Sequence, residues 1–210
     1  MVAKLKKIIN CNYKYLLSKS IVLLNSSCKI GNNTKITNSY IEVLPGSTLI
    51  IGDNCTLVNV RMVIKGNVTI GEGNFIDNAG MFKKLIINVN TGSLIIGKRN
   101  RLQCEIKVRF GSVLTIGDHN NINEESEIRS DEKVTIGSYN QVSYRCVIWD
   151  TNTHNIYPDA QRRELTVNHY PKFGYEFEKP KTAPVYIGSD CWIGREVSIL
   201  KGVTVNNAAK

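Results

Sequence analysis

Aliphatic residues open consecutive six-residue steps along the last part of the chain, at Ile187, Ile193, Ile199 and Val205, with a glycine following the first two. A six-residue step carrying one inward aliphatic is the mark of a parallel β-helix built from hexapeptides, each step a short flat strand and a turn. Seven Ile-Gly pairs begin at Ile30, Ile51, Ile70, Ile96, Ile116, Ile136 and Ile187, at intervals of 21, 19, 26, 20, 20 and 51 residues. The last interval is the abnormal one.

The middle coils show the construction. Ile96, Leu102 and Val108 open three hexads; two extra residues follow, and Ile116, Ile122 and Ile128 repeat the pattern before Ile136, Val142 and Ile148. Three hexads and a corner of two residues predict a prism with three flat faces around a core of Ile, Val and Leu. The fifth hexad position carries Asn74, Asn100, Asn120 and Asn140, predicting an amide ladder along the axis. Thr34, Cys55 and Cys191 occupy the same slot in the flanking coils, where a small side chain suits a tight corner.

A solenoid buries its core between neighbouring repeats, so the chain of 210 residues reads as one domain without a linker. Before it, Lys4, Lys6, Lys7, Lys14 and Lys19 alternate with Leu5, Ile8, Ile9, Tyr13, Leu16 and Leu17 at roughly helical spacing. Residues 1–29 are therefore expected to form a short helical cap over the first coil. Contact of this basic segment with an anionic membrane is the alternative. The fold class is all-β, a parallel β-helix over 30–210 with one long protruding loop over 150–184, where about 31 residues exceed a normal coil.

The chain has 27 basic and 18 acidic residues, a net charge of +9 that favours polyanionic or phosphate-bearing partners. No nucleic-acid motif is present, and the aromatics do not interleave with the basic residues as stacking platforms require. Cysteines 11, 28, 55, 104, 146 and 191 show no metal-ligand spacing. They read as free thiols and, with no secretory signal, point to a reducing cytoplasm. No apolar run is long enough to span a membrane.

Candidate chemistry gathers where the repeat breaks. The loop begins Trp149-Asp150-Thr151-Asn152-Thr153-His154-Asn155-Ile156-Tyr157-Pro158, a histidine beside short polar side chains directly after a rigid strand. Histidine titrates near neutrality and is the commonest general base. Asp150 or Asn152 stands close enough in sequence to fix its tautomer, and both are candidate substrate-binding residues with Tyr157. Arg109, Arg129 and Trp149, each 20 residues apart, are expected to stack outward on one face, offering Arg129 to an acidic glycan.

The Asp150-x-Asn152-x-His154 motif, followed by the run Cys191-Trp192-Ile193-Gly194-Arg195-Glu196-Val197-Ser198-Ile199-Leu200-Lys201-Gly202-Val203, resembles the hexapeptide-repeat sugar O-acetyltransferases. Bacterial capsule and lipopolysaccharide acetyltransferases are the most similar. The resemblance covers Ile30 to the C-terminus and implies a left-handed β-helix, a homotrimer with sites between neighbouring subunits, and acetyl-CoA as acetyl donor. It implies His154 as the base that deprotonates a sugar hydroxyl and Trp192 as a wall of the acceptor pocket, with a backbone N–H near Trp192 as oxyanion donor. Trp192, Gly194, Arg195, Ser198 and Lys201 would then line the CoA site, and no metal is expected.

Two departures qualify the match. Similar enzymes continue past the Gly202-Val203 hexad whereas this chain stops at Lys210, so part of the expected CoA site falls beyond it. His154 and Trp192 are 38 residues apart, a longer separation than in many such enzymes, with Phe173, Tyr175 and Phe177 in the extra part to reach a neighbouring subunit or stack on sugar rings. Three other readings stand beside this one. A non-catalytic scaffold in glycan assembly would lack CoA binding. An N-acetyltransferase would take an amino sugar, though only 29 residues precede the first Ile-Gly pair. A γ-type carbonic anhydrase would need His119, His154 and His169 around zinc, at a spacing that lacks the close pair of that class.

Overall fold

The computed structural model describes residues 16–171 and 178–210. The expectations placed on Lys4, Lys6, Lys7, Lys14, Phe173, Tyr175 and Phe177 lie outside the described residues. The chain winds as a solenoid in which every strand pairs in parallel with the strand one coil away. One face is an eight-stranded sheet running from Leu16–Ser18 through Lys35–Thr37, Thr56–Val58, Phe75–Asp77, Arg101–Leu102, Asn121–Ile122 and Gln141–Val142 to Trp192–Ile193. The other two faces share a fourteen-stranded sheet, because Val60–Ile70 and Leu85–Ile96 run as strand across the corner between them.

Inward aliphatics stack one per coil. Ile36, Leu57, Ile76, Leu102, Ile122 and Val142 form one column, and Leu49, Val68, Leu94, Leu114, Val134 and Val185 another, all fully or almost fully buried. Each side chain of that size contributes about 1.5–3 kcal/mol on burial, so the prism is held by repetition of one modest term. The Ile-Gly pairs follow from the stacking distance: a Cβ on Gly117 would stand 2.6 Å from the Gly137 carbonyl oxygen of the next coil.

The expected amide ladder is present. Asn100 donates from Nδ2 to Asn74 Oδ1 at 3.0 Å, Asn120 to Asn100 Oδ1 at 3.0 Å, and the N–H groups of Asn140 and Cys191 continue it onto Asn120 and Asn140 at 2.9 and 2.8 Å. A second ladder, Asn38–Asn59–Asn78, occupies another corner of the early coils, with Asn59 donating to Asn78 Oδ1 at 3.0 Å. The cysteines at 55, 104, 146 and 191 are buried and free, and Cys28 is half-buried and free. Burial pushes the Cys104 thiol up to about 12 and raises those of Cys55 and Cys146.

Where the segment expected as a helical cap is described, it is strand. Leu16–Ser18 pairs with Lys35–Thr37, and Ile21–Leu23 with Tyr40–Val43. Val22 and Leu24 are buried there as inward residues of a further coil, so the solenoid starts before Ile30. The protruding loop contains a helix, Asp159–His169, none of whose residues is buried, and therefore no apolar stripe announces it in the sequence. Among the described residues no helix is long and apolar enough to cross a membrane.

Candidate active site

The strand Val147–Trp149 delivers the chain to the loop, and Asp150, the next residue, is fully buried. Its carboxylate accepts the N–H groups of Asp131, Glu132 and Lys133 at 2.7, 2.8 and 2.7 Å and the Ser130 hydroxyl at 3.3 Å. Those four donors belong to the corner of the preceding coil. Both oxygens of Asp150, expected to orient His154 or bind substrate, are engaged in holding a turn, a need that buried backbone N–H groups impose.

From that anchor the two ends of the loop zip together. Ala183 donates its N–H to the Asp150 carbonyl at 3.0 Å, Asn152 donates to the Lys181 carbonyl at 3.0 Å, and Thr151 and Thr182 form an antiparallel bridge. Thr182 also donates its hydroxyl to Glu132, tying the exit to the same coil corner. Farther out, Asn155 donates from Nδ2 to the Glu178 carbonyl at 3.0 Å. His154 therefore sits on a clamped root rather than on a free tip.

Asn152, His154, Asn155, Ile156 and Lys181 line a cavity of about 140 Å³. Of the expected residues, this brings Asn152 and His154 together. Lys181 and Ile156 were not singled out from the sequence; the only signal for Lys181 is its place between Pro180 and Pro184 at the loop exit. Tyr157 is half-buried and is not among the residues lining the cavity.

The outward column before the loop differs from expectation. Strand register sets Lys107 against Arg129 and Arg129 against Trp149, and it leaves Arg109 out of the column. The cause is a corner of different length: Leu102 pairs with Ile122 but Ile106 pairs with Ile128. Arg109 instead meets the buried carboxylate of Asp131 in a two-point contact at 2.6 and 2.8 Å. Arg129 donates to Glu127 at 2.7 and 3.0 Å, and its guanidinium lies 4.7 Å from the centre of the Trp149 ring. The Trp149 indole N–H is buried and makes no hydrogen bond among the described residues.

Trp192 is exposed on the eight-stranded face one coil on from Gln141, and it does not line the cavity of His154. Its own N–H donates to the Ala209 carbonyl at 2.8 Å. Beyond it, a Cβ on Gly194 would meet nothing within 4 Å, and Ser198 and Lys201 are exposed. Arg195 pairs with Glu196 at 3.1 Å and lies over the Tyr144 ring. Among the described residues no group of three or more His, Cys, Asp or Glu stands together as a metal site, and His119 stacks on Tyr139 at 5.0 Å.

No protein-family model matches the chain, and no curated protein does. Among solved structures it is similar to the polySia specific acetyltransferase NeuO, at 19% identity over 91% of this chain and 69% of that one, with a TM-score of 0.45. The β-helix assignment stands on the strand register itself.

Proposed function

We propose that the chain transfers an acetyl group from acetyl-CoA to a sugar hydroxyl on a surface polysaccharide or its precursor, with His154 as general base. The observation that carries this reading is the place of His154: a clamped loop root beside a rigid parallel β-helix, in a cavity shared with two amides and a lysine. Such a base is worth about 10²- to 10⁴-fold, because a sugar hydroxyl is a weak nucleophile at neutral pH. The imidazole takes the hydroxyl proton as the oxygen attacks the thioester carbonyl. When the C–S bond breaks, the imidazolium returns that proton to the departing CoA sulfur.

Lys181 supplies a cation to the cavity lining and is the residue we assign to the charge that develops on the carbonyl oxygen. Asn152 offers its amide to the acceptor, beside an Asn155 that is held by the Glu178 carbonyl. The strip from Gly194 to Lys201 fits a phosphate-bearing thioester in its open backbone at Gly194 and its exposed Ser198 and Lys201, while Arg195 is shared with Glu196. In this reading the protein acts in the cytoplasm as a homotrimer, and Trp192 reaches the site of a neighbouring subunit rather than its own.

The test is release of the CoA thiol from acetyl-CoA across a panel of bacterial glycans. Acceptor-dependent release that falls at least a hundredfold in His154→Ala supports the proposal. Release from no acceptor, together with no acetyl-CoA binding, would overturn it in favour of a non-catalytic solenoid.

A further inference from the structure

The coil between Ile70 and Ile96 takes 26 residues where its neighbours take 19 and 20, and the excess forms a small loop, Asn78-Ala79-Gly80-Met81-Phe82-Lys83-Lys84. It is built from within. The buried Asn78 donates from Nδ2 to the carbonyls of Met81 and Lys83 and accepts the Gly80 N–H on Oδ1 at 3.3 Å, and Met81 N–H donates to the Asn78 carbonyl at 2.9 Å. These bonds occupy the loop's own backbone and leave its apolar side chains outside. Phe82 is fully exposed and Met81 is 45% exposed.

An ordered loop holding a phenylalanine and a methionine into water, with two lysines next in sequence, has a specific chemistry. Lys83 and Lys84 are exposed, and Lys84 leans back to the Asn38 carbonyl across the corner. The same corner carries Asn38 and Asn59, and strand register places the exposed Lys19 one step further along it. Asp77, the residue before the loop, accepts the Gln103 side-chain amide at 2.7 Å. Further up that edge the charges are Glu125 and Glu196 around Arg145, so the basic stretch is confined to the early coils.

We infer that the Met81–Phe82 tip with Lys19, Lys83 and Lys84 is a docking edge for an anionic lipid bilayer. The tip offers two exposed apolar side chains on a short protrusion, which fits a surface that yields around it better than a rigid protein partner. A second copy of this chain, itself carrying +9, would bring like charge against the same lysines. An interface takes up Met and Phe as buried apolar surface, and each lysine close to an anionic leaflet strengthens binding about fivefold. The inference is independent of the acetyl-transfer reading.

The test is flotation of the full chain with vesicles of phosphatidylcholine and phosphatidylglycerol in equal parts, against vesicles of phosphatidylcholine alone. Wild type is expected to float with the anionic vesicles only, Met81→Ser/Phe82→Ser to lose at least tenfold in partition, and Lys83→Gln/Lys84→Gln to lose a comparable amount. In Phe82→Trp, the added fluorescence should shift to the blue on mixing with anionic vesicles. Wild type that fails to float overturns the inference. So does binding equal in wild type and Met81→Ser/Phe82→Ser, which would assign it to the basic residues before Lys19. Wild type whose sedimentation falls on Met81→Ser/Phe82→Ser without lipid would make the tip a contact between copies and overturn it too.

Discussion

Asp150 and Asp131 stand on adjacent coils, and the carboxylate of the first accepts the backbone N–H of the second at 2.7 Å, while the carboxylate of Asp131 takes the guanidinium of Arg109. A chain of contacts thus runs from Arg109 through two buried aspartates to the root of the loop that bears His154. The loop root is anchored to the corner behind it.

Asp150→Ala should cost about 2–5 kcal/mol, since it leaves three backbone N–H groups and a hydroxyl in the corner without an acceptor. Asp150→Asn retains one carbonyl oxygen and should cost less. Urea unfolding checks both, and midpoints equal to wild type would show that water replaces the carboxylate.

Arg109→Met should lower stability by about 3 kcal/mol, because it strands a buried carboxylate, with the partial exposure of Arg109 keeping the loss at the low end of the range for such pairs. Adding Asp131→Asn should recover part of it. The acceptor KM should not move in either variant, whereas a role for Arg109 in binding glycan would raise it.

Gly92 has φ +98° and a Cβ there would stand 2.3 Å from the Ser112 carbonyl oxygen, but at Gly46, φ +77°, a Cβ would meet nothing within 4 Å. Gly46→Ala should lose only the backbone cost, about 1 kcal/mol. Gly92→Ala should lose more than twice that in a thermal melt; equal losses would mean that neighbouring coils part easily.

The Cys104 thiol, raised by burial to about 12 from an ordinary 9.0, keeps its proton in the folded state where the unfolded chain gives it up. Its contribution to stability is complete below pH 9 and declines as pH climbs towards 12. Urea midpoints should therefore fall between about pH 9 and pH 11, less steeply in Cys104→Ala. In native protein Cys104 should resist thiol reagents that modify the half-buried Cys28.

The solenoid was legible because its core repeats, and Ile96, Ile116 and Ile136 reveal by spacing what the register confirms. Corners were not legible in the same way. Register is fixed by how the backbone closes each turn, and Arg109 left its expected column because two successive corners differ in length. The Asn74–Asn140 ladder followed an Ile-Gly mark, but Asn38, Asn59 and Asn78 follow none. At the site, His154 stood out because it begins an insertion, while Asp150 was read as orienting His154 or binding substrate by proximity in sequence alone. Only the corner it faces shows its work. Lys181 joins the cavity through pairing across the loop neck, a contact between residues far apart in the chain.

That neck also has a history in time. Most coils close onto a neighbour some 20 residues away, but Val147 must find Ser198 and Gln141 must find Trp192, each 51 residues off. The longer closure costs about 0.8 kcal/mol more in chain entropy, roughly a fourfold slowing of that one step in an otherwise even sequence of additions. The coil beyond the insertion is then slower to join than its neighbours, and the strip from Trp192 to Lys201 is in place only once it has joined.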